Sequence, residues 1–503
     1  MLKKTVRLIH PVLFAIYPVL FLYAGNIGEV PFYDVLRPLI VLLVFAFLSS
    51  KLLTWLTRDR YTASLLVSFT LILFLSFGSI FELLIPSLFI EKHFLGIFYA
   101  FYILGISAIL KWRRKAMEVS RFLNIASIIL VSIPLCQLGL FQIQNLKFNK
   151  SSGSNYESNL ISHRPAGEEG RQMLPDIYCI VFDSYMGAST LKDYWNYDNS
   201  GILNFLKGKG FYVAEDSRSN YTRTSYSMAS PLNMDYLQKL IIFSNKGHMG
   251  KQSVKDLLTR LISQNQAASI LSSKGYTYID YSNRRPAFGW GHFKYLNDFE
   301  ARLLYMTTFR KWMLPFYSLH SREDNLKIIE NLKTIPNAQT PTFVYAHIMI
   351  PHDFLFNRYG QPAPANWLLQ SQDIAKGRLP ESEIKSRKER YLEQVLFVNG
   401  EIRELVDTLL SKSRIQPIII IQGDHGFREL PFKDSNETQR FRSSILNAYY
   451  FPGINDSKLY PTISPVNTFR LIFNLYFGAN YDLLEDKAYE DKEPYTLNWQ
   501  IIR

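Results

Sequence analysis

The sequence predicts two structural parts: a multi-span α-helical membrane domain, followed by an α/β domain with a mostly parallel sheet and helices on both of its faces. Five apolar stretches within the first 143 residues indicate the first part. Helical and strand-like segments that alternate after residue 174 indicate the second, because this alternation is typical of parallel sheets. A buried strand that ends in an acidic residue and a histidine indicates where the polar chemistry of the second part lies.

Composition agrees with this division. The chain has 503 residues, too many for one ordinary domain, and its apolar residues are concentrated in the first part. The net charge of +13 could suggest nucleic acid, but much of the excess lies beside apolar stretches, where membrane topology explains it. The two cysteines, Cys136 and Cys179, lack the spacing of a zinc motif or a disulfide framework, so they do not indicate a redox compartment.

Five stretches have the length and apolar character of membrane spans. A cleaved signal peptide would account for the first stretch but not for the four that follow it, so we interpret the set as a membrane anchor. The predicted spans are Leu8–Ala24, Val35–Leu56, Ala63–Ile85, Phe94–Leu110 and Phe122–Ile143.

Basic residues flank alternate connections between these spans. Since connections rich in Lys and Arg stay in the cytoplasm, the N-terminus and the second and fourth connections are predicted to be cytoplasmic. An odd number of spans then places everything after Ile143 outside, as expected for a multi-pass protein of the cytoplasmic membrane with an extracytoplasmic C-terminal domain. The basic residues are Lys3, Lys4 and Arg7, then Lys51, Arg58 and Arg60, then Lys111, Arg113, Arg114, Lys115 and Arg121.

Residues 144–174 turn polar and predict a linker between a membrane domain over residues 1–143 and a catalytic domain over residues 175–503. Short β-branched runs and helical segments alternate through the second of these domains. The predicted strands are Pro175–Phe182, Gly210–Val213, Gly275–Asp280, Thr342–His347, Ile418–Ile421 and Asn447–Phe451. The predicted helices are Ile202–Lys207, Asn265–Ser273, Asp324–Leu332, Glu381–Lys412 and Val466–Phe477.

Two predicted strands end in residues that bind metals. Asp424 and His425 follow the run Ile418–Ile421, and Asp183 follows the first strand of the domain. Doubly wound sheets bring the carboxyl ends of such strands onto one edge, where carboxylate and imidazole ligands suit zinc or manganese. The alternative is a polar turn in which the aspartates cap the next element.

A third segment supplies hydroxyl groups. The segment Asn220–Leu232 contains Thr222, Thr224 and Ser227 and follows the second predicted strand. A hydroxyl at a helix start gains nucleophilic character from a coordinated metal and from the helix dipole. The alternative is a capping turn rich in hydroxyl groups.

In this order, and behind a membrane anchor, these motifs resemble the alkaline-phosphatase/sulfatase superfamily. The closer resemblance is to its membrane-anchored phosphotransferases, the lipoteichoic acid synthases and phosphoethanolamine transferases. It covers residues from Pro175 to the C-terminus, and its most specific motif is Gln422-Gly423-Asp424-His425-Gly426. The resemblance implies one divalent ion, Zn or Mn. The implied metal ligands are Asp183, Thr224, Asp424 and His425.

The resemblance also implies a nucleophile and a substrate pocket. The nucleophilic threonine falls on Thr224, with Thr222 as the alternative. His352 corresponds to the family's substrate-phosphate histidine, and His347 either lines the same pocket or is an ordinary buried histidine. Further candidates are Asn220, Arg223 and Arg428 for phosphate, and Trp290 and His292 for a lipid or acceptor, with a packed aromatic loop as the alternative for the last two.

The implied function is metal-dependent transfer of a phosphoethanolamine- or phosphoglycerol-type head group. The donor would be a membrane phospholipid and the acceptor a glycan or glycolipid, through a phosphothreonine intermediate and without a nucleic-acid partner. One alternative is a sulfatase-like hydrolase of phosphodiesters or sulfate esters, although the Cys/Ser-x-Pro-x-Arg motif of sulfatases is absent from the nucleophile region. Another is a non-catalytic membrane scaffold.

Overall fold

The computed structural model describes most of the chain. The described residues are 7–26, 32–84, 88–152, 174–242, 251–282, 298–309, 322–337, 340–363, 381–428, 430, 435–491 and 495–502. They form two compact units, Met1–Ser162 with Arg285–His320, and His163–Arg284 with Ser321–Arg503. The described residues 298–309, which the sequence predicts as part of the catalytic domain, therefore group with the N-terminal helices.

Apolar helices form the N-terminal part of the first unit. Four of the five predicted spans are helices long and apolar enough to cross a membrane. The first is shorter: its 16 residues extend about 24 Å, against a hydrocarbon core of about 30 Å. The fifth helix continues beyond residue 143 into the segment predicted as a linker. The helices are α1 (His10–Gly25), α2 (Phe32–Thr57), α3 (Arg60–Leu84), α4 (Leu88–Lys111) and α5 (Ala116–Ser152).

The second unit is built on a six-stranded sheet in the order β2-β6-β5-β1-β4-β3. The strands β3, β4, β1 and β5 run parallel, and β6 is antiparallel to its two neighbours. This confirms the predicted mostly parallel sheet. The strands are β1 (Ile177–Phe182), β2 (Tyr212–Val213), β3 (Thr277–Ser282), β4 (Thr342–Ile348), β5 (Ile418–Gly423) and β6 (Asn447–Tyr450), with a separate hairpin of β7 (Tyr489–Asp491) and β8 (Trp499–Ile501).

Helices connect these strands and cover the sheet. Every residue of β1, β4 and β5 is buried, so both faces of the central sheet are covered. The helices are α6 (Ala188–Trp195), α7 (Ser200–Gly208), α8 (Thr224–Leu232), α9 (Leu237–Ile242), α10 (Lys251–Ser263), α11 (Gln266–Ser273), α12 (Asp298–Tyr305, in the first unit), α13 (322–332), α14 (Glu381–Lys412), α15 (Ser435–Ser443) and α16 (Thr468–Phe477).

The helix α12 packs against the membrane-type helices of its own unit. Its apolar side chains join a buried cluster that includes residues of α2 and α3. The carboxylate of Glu300 accepts two hydrogen bonds from the guanidinium of Arg37, and the Gly78 N–H donates to the Met306 carbonyl at 2.7 Å. Arg37 lies in the first turns of α2, and Gly78 lies near the end of α3. The contacts are therefore with the start of α2 and the end of α3, which are the ends far from the short connection between these two helices.

Candidate metal centre and nucleophile

Strand register brings the predicted carboxylates to one edge of the sheet. In the parallel ladder, Phe182 at the end of β1 pairs with Ile348 of β4 on one side and with Gly423 of β5 on the other. The next residue along β1 is Asp183, and the next along β5 is Asp424. Since all three strands run in the same direction, their carboxyl ends place these side chains together, as the sequence predicts.

Three buried side chains form a cluster at this edge. Asp183, His347 and Asp424 each offer one ligand atom, and these atoms lie within 4.8 Å of one another. His347 Nε2 lies 3.4 Å from Asp183 Oδ2 and 3.9 Å from Asp424 Oδ2. The resemblance suggests that His347 either lines a substrate pocket or is an ordinary buried histidine. In the structure its ring lies beside the two candidate ligands Asp183 and Asp424.

Two atoms of the cluster are buried without a hydrogen bond. His347 Nε2 and Asp424 Oδ2 have no hydrogen-bond partner among the described residues. Burying such atoms unpaired is costly, and a divalent cation between them would satisfy both. A set of carboxylate oxygens and imidazole nitrogen is a donor combination that zinc and manganese accept, so these residues fit the predicted ion.

His425 lies beside the cluster, and its ring nitrogen Nε2 can accept a hydrogen bond or bind an ion there. Its Nδ1 lies 2.8 Å from the Gly426 carbonyl, which fixes the neutral ring with the proton on Nδ1. The lone pair of Nε2 is then directed at the site, 3.3 Å from Asp424 Oδ2 and 3.0 Å from Thr224 Oγ1. His425 can therefore act as a ligand or as a hydrogen-bond acceptor for the threonine.

Thr224 is the first residue of α8. Its Oγ1 lies 3.0 Å from His425 Nε2 and 3.4 Å from Asp183 Oδ2, so the hydroxyl borders the candidate metal centre. At a helix N-terminus it also lies in the favourable field for a developing negative charge. Among the described residues, no hydrogen bond joins the alternative nucleophile, Thr222, to these groups, and this favours Thr224.

Ser184 is a site residue that the sequence reasoning missed. Its φ of +61° is a left-handed conformation, uncommon for a residue other than glycine. In this conformation its N–H donates to Asp424 Oδ1 at 2.8 Å, and its hydroxyl donates to Asp183 Oδ1 at 3.0 Å. Ser184 thus orients both carboxylates. The only signal in the sequence is its position directly after Asp183.

The turn at Ser184 is stabilised by hydrogen bonds to Tyr391 of α14. The buried Tyr391 hydroxyl donates to the Ser184 carbonyl at 2.7 Å and accepts from the Met186 N–H at 3.2 Å. We expect Tyr391→Phe to fold but to weaken metal affinity about 10- to 100-fold, the range seen when groups that orient ligands are lost. Calorimetric metal titration measures this. Tyr359→Phe, at a residue that is 79% exposed, is the matched control, and equal affinities for the two variants would contradict this role.

Two glycines permit the close packing around the site. A Cβ at Gly423 would lie 2.2 Å from the Tyr185 carbonyl oxygen, and one at Gly426 would lie 1.9 Å from the Phe441 carbonyl oxygen. Both contacts are with backbone, which cannot move aside as a flexible side chain can. The glycines on either side of Asp424 and His425 therefore have a steric function that the sequence alone does not reveal.

The electrostatics of the site favour the ionised form of Asp183 and the neutral form of His425, the forms in which these two groups bind a cation. Burial disfavours the charge of Asp183, but the imidazoles of His352, His347 and His425 outweigh it, so the pKa of that carboxyl lies well below its usual range. Burial also opposes charge on His347, but the adjacent carboxylates of Asp183 and Asp424 outweigh this and raise the pKa of its ring. For His425, burial dominates the attraction of Asp424 and lowers the pKa of the imidazole.

The remaining predicted residues have different surroundings. His352 lies beside the cluster. Its backbone N–H donates to the backbone carbonyl of Asp183 at 3.1 Å. Its side chain is 31% exposed, and the ring contacts the carboxylate of Asp353. Arg223 is the N-cap residue of α8, directly before Thr224. The amide of Asn220 is buried and bonds to Ser464, the Lys487 carbonyl and the Val466 N–H, which gives it a structural function. Trp290 and His292 lie outside the described residues.

No family model matches the chain, and no curated protein matches it. Several solved structures are similar. The C-terminal periplasmic domain of EptC from Escherichia coli, in complex with Zn, is 12% identical with a TM-score of 0.42, over 65% of this chain and 92% of that one. A putative sulfatase, YidJ from Bacteroides fragilis, is 12% identical with a TM-score of 0.41, over 65% and 83%.

A third similar structure includes a membrane part. It is the integral membrane protein lipooligosaccharide phosphoethanolamine transferase A from Neisseria meningitidis, which is 13% identical with a TM-score of 0.37. The match covers 93% of this chain and 95% of that one.

Proposed function

We propose that this chain is a metal-dependent transferase of the membrane surface. It would move a phosphate-linked head group from a membrane phospholipid to a hydroxyl of a glycan or glycolipid. The observation that carries the proposal is the position of Thr224 Oγ1, 3.0 Å from His425 Nε2 and 3.4 Å from Asp183 Oδ2. A helix-terminal hydroxyl beside a buried group of metal-binding side chains is the arrangement of an activated nucleophile.

The residues would divide the work as follows. Asp183, Asp424, His347 and His425, with the oxygen of Thr224, would hold a zinc or manganese ion. Such an ion lowers the pKa of a bound hydroxyl and offsets charge on the phosphate. Ser184 orients the two carboxylates through its N–H and hydroxyl. His352, partly exposed beside Asp183, would stabilise charge on the phosphoryl group.

The reaction would proceed in two balanced steps. In the first, the oxygen of Thr224 forms a bond to phosphorus while the bond from phosphorus to the diacylglycerol oxygen breaks. The proton lost by the threonine is gained by the released diacylglycerol. In the second, the acceptor oxygen forms a bond to phosphorus while the bond from phosphorus to the oxygen of Thr224 breaks, and the proton of the acceptor hydroxyl goes to Thr224. Water in place of the acceptor would give hydrolysis through the same first step.

Charge and structure support an extracytoplasmic location for the site. The basic connection between α2 and α3, with Arg58 and Arg60, is expected in the cytoplasm. The helix α12 follows the first strands of the second unit in the chain. Its Glu300, and Met306 directly after the helix, contact the opposite ends of α2 and α3. This support is independent of whether α1 crosses the membrane.

We expect a reporter that is active only outside the cytoplasm to be active when fused at the C-terminus. A fluorescent reporter that matures only in the cytoplasm should stay dark at the same position. The reason is the alternation of basic connections, which leaves the end of α5 outside whether four or five helices cross. Cytoplasmic fluorescence of the fusion would contradict the topology and the access to an extracytoplasmic acceptor.

The function itself is tested in cells that make either the wild-type chain or Thr224→Ala. In cells with the wild-type chain, mass spectrometry of lipids and surface glycans should show a phosphate-linked group on a glycan or glycolipid, together with released diacylglycerol. Cells with Thr224→Ala should show neither. Diacylglycerol without a modified glycan would indicate hydrolysis. Identical lipids and glycans in both would favour the non-catalytic scaffold.

A further inference from the structure

The C-terminal hairpin of β7 and β8 lies apart from the six-stranded sheet and contacts the segments that carry the candidate site. Its strands pair with each other from Tyr489 opposite Ile501 to Asp491 opposite Trp499. A two-stranded hairpin is only marginally stable by itself, so contacts with the rest of the unit must hold it in place. Each of the three residues of β7 makes such a contact, and each contact is with a different segment.

Tyr489 contacts the chain that leads into α8. Its N–H donates to the Asn220 carbonyl at 2.9 Å. Its ring stacks on the ring of Tyr221, with the ring centroids 5.5 Å apart and the planes inclined by 22°. Because Tyr221 is buried and lies three residues before Thr224, these contacts fix the backbone just ahead of the proposed nucleophile.

Asp491 contacts the first turn of α8 itself. Its buried Oδ2 accepts a hydrogen bond from the Tyr226 hydroxyl at 2.8 Å and another from the Tyr495 N–H at 2.9 Å. Tyr226 is the third residue of α8, two residues after Thr224. A buried carboxylate is costly unless it is hydrogen-bonded, so the contact between Asp491 and Tyr226 is strongly favoured.

The start of α8 depends on such contacts because it lacks an ordinary cap. Its N-cap residue is Arg223, a residue type that does not cap helices, and the Arg223 side chain makes no capping hydrogen bond among the described residues. The first N–H groups of a helix have no partner within the helix, so an uncapped first turn is prone to fraying. We therefore expect the contacts of Tyr221 and Tyr226 to hold this turn.

Glu490 contacts the opposite side of the candidate site. Its carboxylate pairs with the guanidinium of Arg442 at the end of α15. The Arg442 carbonyl accepts from the Gly426 N–H at 2.7 Å, and Gly426 directly follows His425. The hairpin is thus linked both to the helix of Thr224 and to the turn of His425, the two residues whose Oγ1 and Nε2 atoms lie 3.0 Å apart.

We infer that the C-terminal hairpin sets the distance between the nucleophile and the metal centre, with Tyr226, Glu490 and Asp491 as positioning residues. The inference rests on the proposed function of Thr224. A displacement of about 1 Å at a reacting group can lower a rate about 10²-fold. The candidate ligands on β1, β4 and β5 are oriented by other contacts, such as those of Ser184, so the hairpin should affect the rate and not the affinity for metal.

The test compares variants of the full-length protein in phospholipid vesicles with Mn²⁺ or Zn²⁺. Tyr226→Phe and Asp491→Ala should each lower kcat for diacylglycerol release about 10- to 100-fold. The KM for the lipid and the metal content should match the wild type, because neither residue is a candidate contact of substrate or metal. Asp491→Asn should recover most of the rate, since one amide oxygen can accept both of the hydrogen bonds that Oδ2 accepts.

The matched control is Tyr276→Phe. Tyr276 is also buried, and its hydroxyl donates to the Pro175 carbonyl at 2.9 Å, ahead of β1 and therefore at the opposite edge of the sheet. This variant loses a comparable hydrogen bond and should lose comparable thermal stability, but it should keep the wild-type kcat. A loss of kcat in Tyr276→Phe equal to that in Tyr226→Phe would show a general effect of destabilisation and overturn the inference.

Hydrogen exchange gives a readout that does not depend on activity. Amide exchange is measured by mass spectrometry on the peptide that contains the first turn of α8. It should be faster in Tyr226→Phe and Asp491→Ala than in Tyr276→Phe, because only the first two release this turn from the hairpin. Unchanged exchange in that peptide would contradict the proposed role of the hairpin.

The outcomes separate this inference from the proposed function. Wild-type kcat in both Tyr226→Phe and Asp491→Ala would overturn the inference and leave the transferase proposal standing. Absence of diacylglycerol release by the folded, metal-loaded wild type would overturn the proposed function, and the inference with it.

Discussion

Replacing Thr224 with alanine is expected to abolish turnover of the phospholipid donor. In the proposed mechanism Thr224 forms and breaks the covalent bond to phosphorus, so no other side chain could replace its oxygen. Residual release would come only from water that enters the space left by the hydroxyl. Turnover is measured as released diacylglycerol under saturating metal, and Thr224→Ser should retain part of it because the hydroxyl remains.

Two further variants distinguish loss of the nucleophile from loss of a neighbouring group. Thr222→Ala should keep activity, because no hydrogen bond to the candidate ligands is found for that hydroxyl among the described residues. His352→Ala should bind metal normally but lose about 10²- to 10³-fold in rate, the effect of removing one preorganised donor. Full activity in both the Thr224→Ala and Thr222→Ala variants would exclude the covalent route and favour a directly activated water.

Replacing Asp424 with alanine is expected to remove the metal. Asp424 Oδ2 is buried without a hydrogen bond, and Oδ1 accepts from the N–H groups of Ser184 and His425, so the carboxylate supports both the ion and the turn beside it. Metal content per chain, measured by elemental analysis of purified protein, should fall from near one ion to background. Membrane insertion should be unchanged, since the spans do not depend on this residue.

The control for this variant is Asp193→Ala, at an exposed carboxylate that pairs with Arg440 on the surface. It should keep the full metal content and activity. His347→Ala should resemble Asp424→Ala if the His347 ring is a ligand, and should keep the metal if the ring only lines the substrate pocket. Normal metal content in Asp424→Ala would show that the ion, if bound, is held elsewhere.

Much of the second unit follows from local sequence patterns. The β-branched runs that become β1, β4 and β5 are fully buried strands, and their parallel pairing brings Asp183 and Asp424 together as predicted. The prediction of these strands is correct because the periodicity of the apolar residues, the length of each run and the turn residues after it all indicate the same structure. The helix at Glu381–Lys412 is predicted with its observed bounds for the same reason.

Other features depend on contacts between residues far apart in the chain. His347 lies one residue before the end of β4, and only the register against Val181 shows that its ring reaches the aspartates. The left-handed backbone of Ser184 is imposed by its contacts with Asp424 and Tyr391, which no local pattern encodes. Propensities describe a residue's neighbours in sequence, whereas these roles are set by neighbours in space.

In the first unit, too, local sequence patterns predict the helices but not the contacts between distant residues. Hydropathy finds its apolar helices, but the first is shorter than a bilayer span, and the end of α5 lies beyond the predicted boundary. Nothing in the composition of residues 298–305 indicates that this helix packs with α2 and α3. Its buried Glu300 finds its partner, Arg37, more than half the chain away, and such pairing is invisible to a window of local sequence.

The proposed covalent intermediate at Thr224 can be trapped and identified. Wild-type protein would be mixed with phospholipid labelled in its head group, in the presence of metal and without acceptor, and then quenched with acid and digested. Mass spectrometry should find the phosphate-linked head group on the peptide that contains Thr224. Turnover without any adduct on that peptide, or with the adduct on another residue, would contradict the assignment.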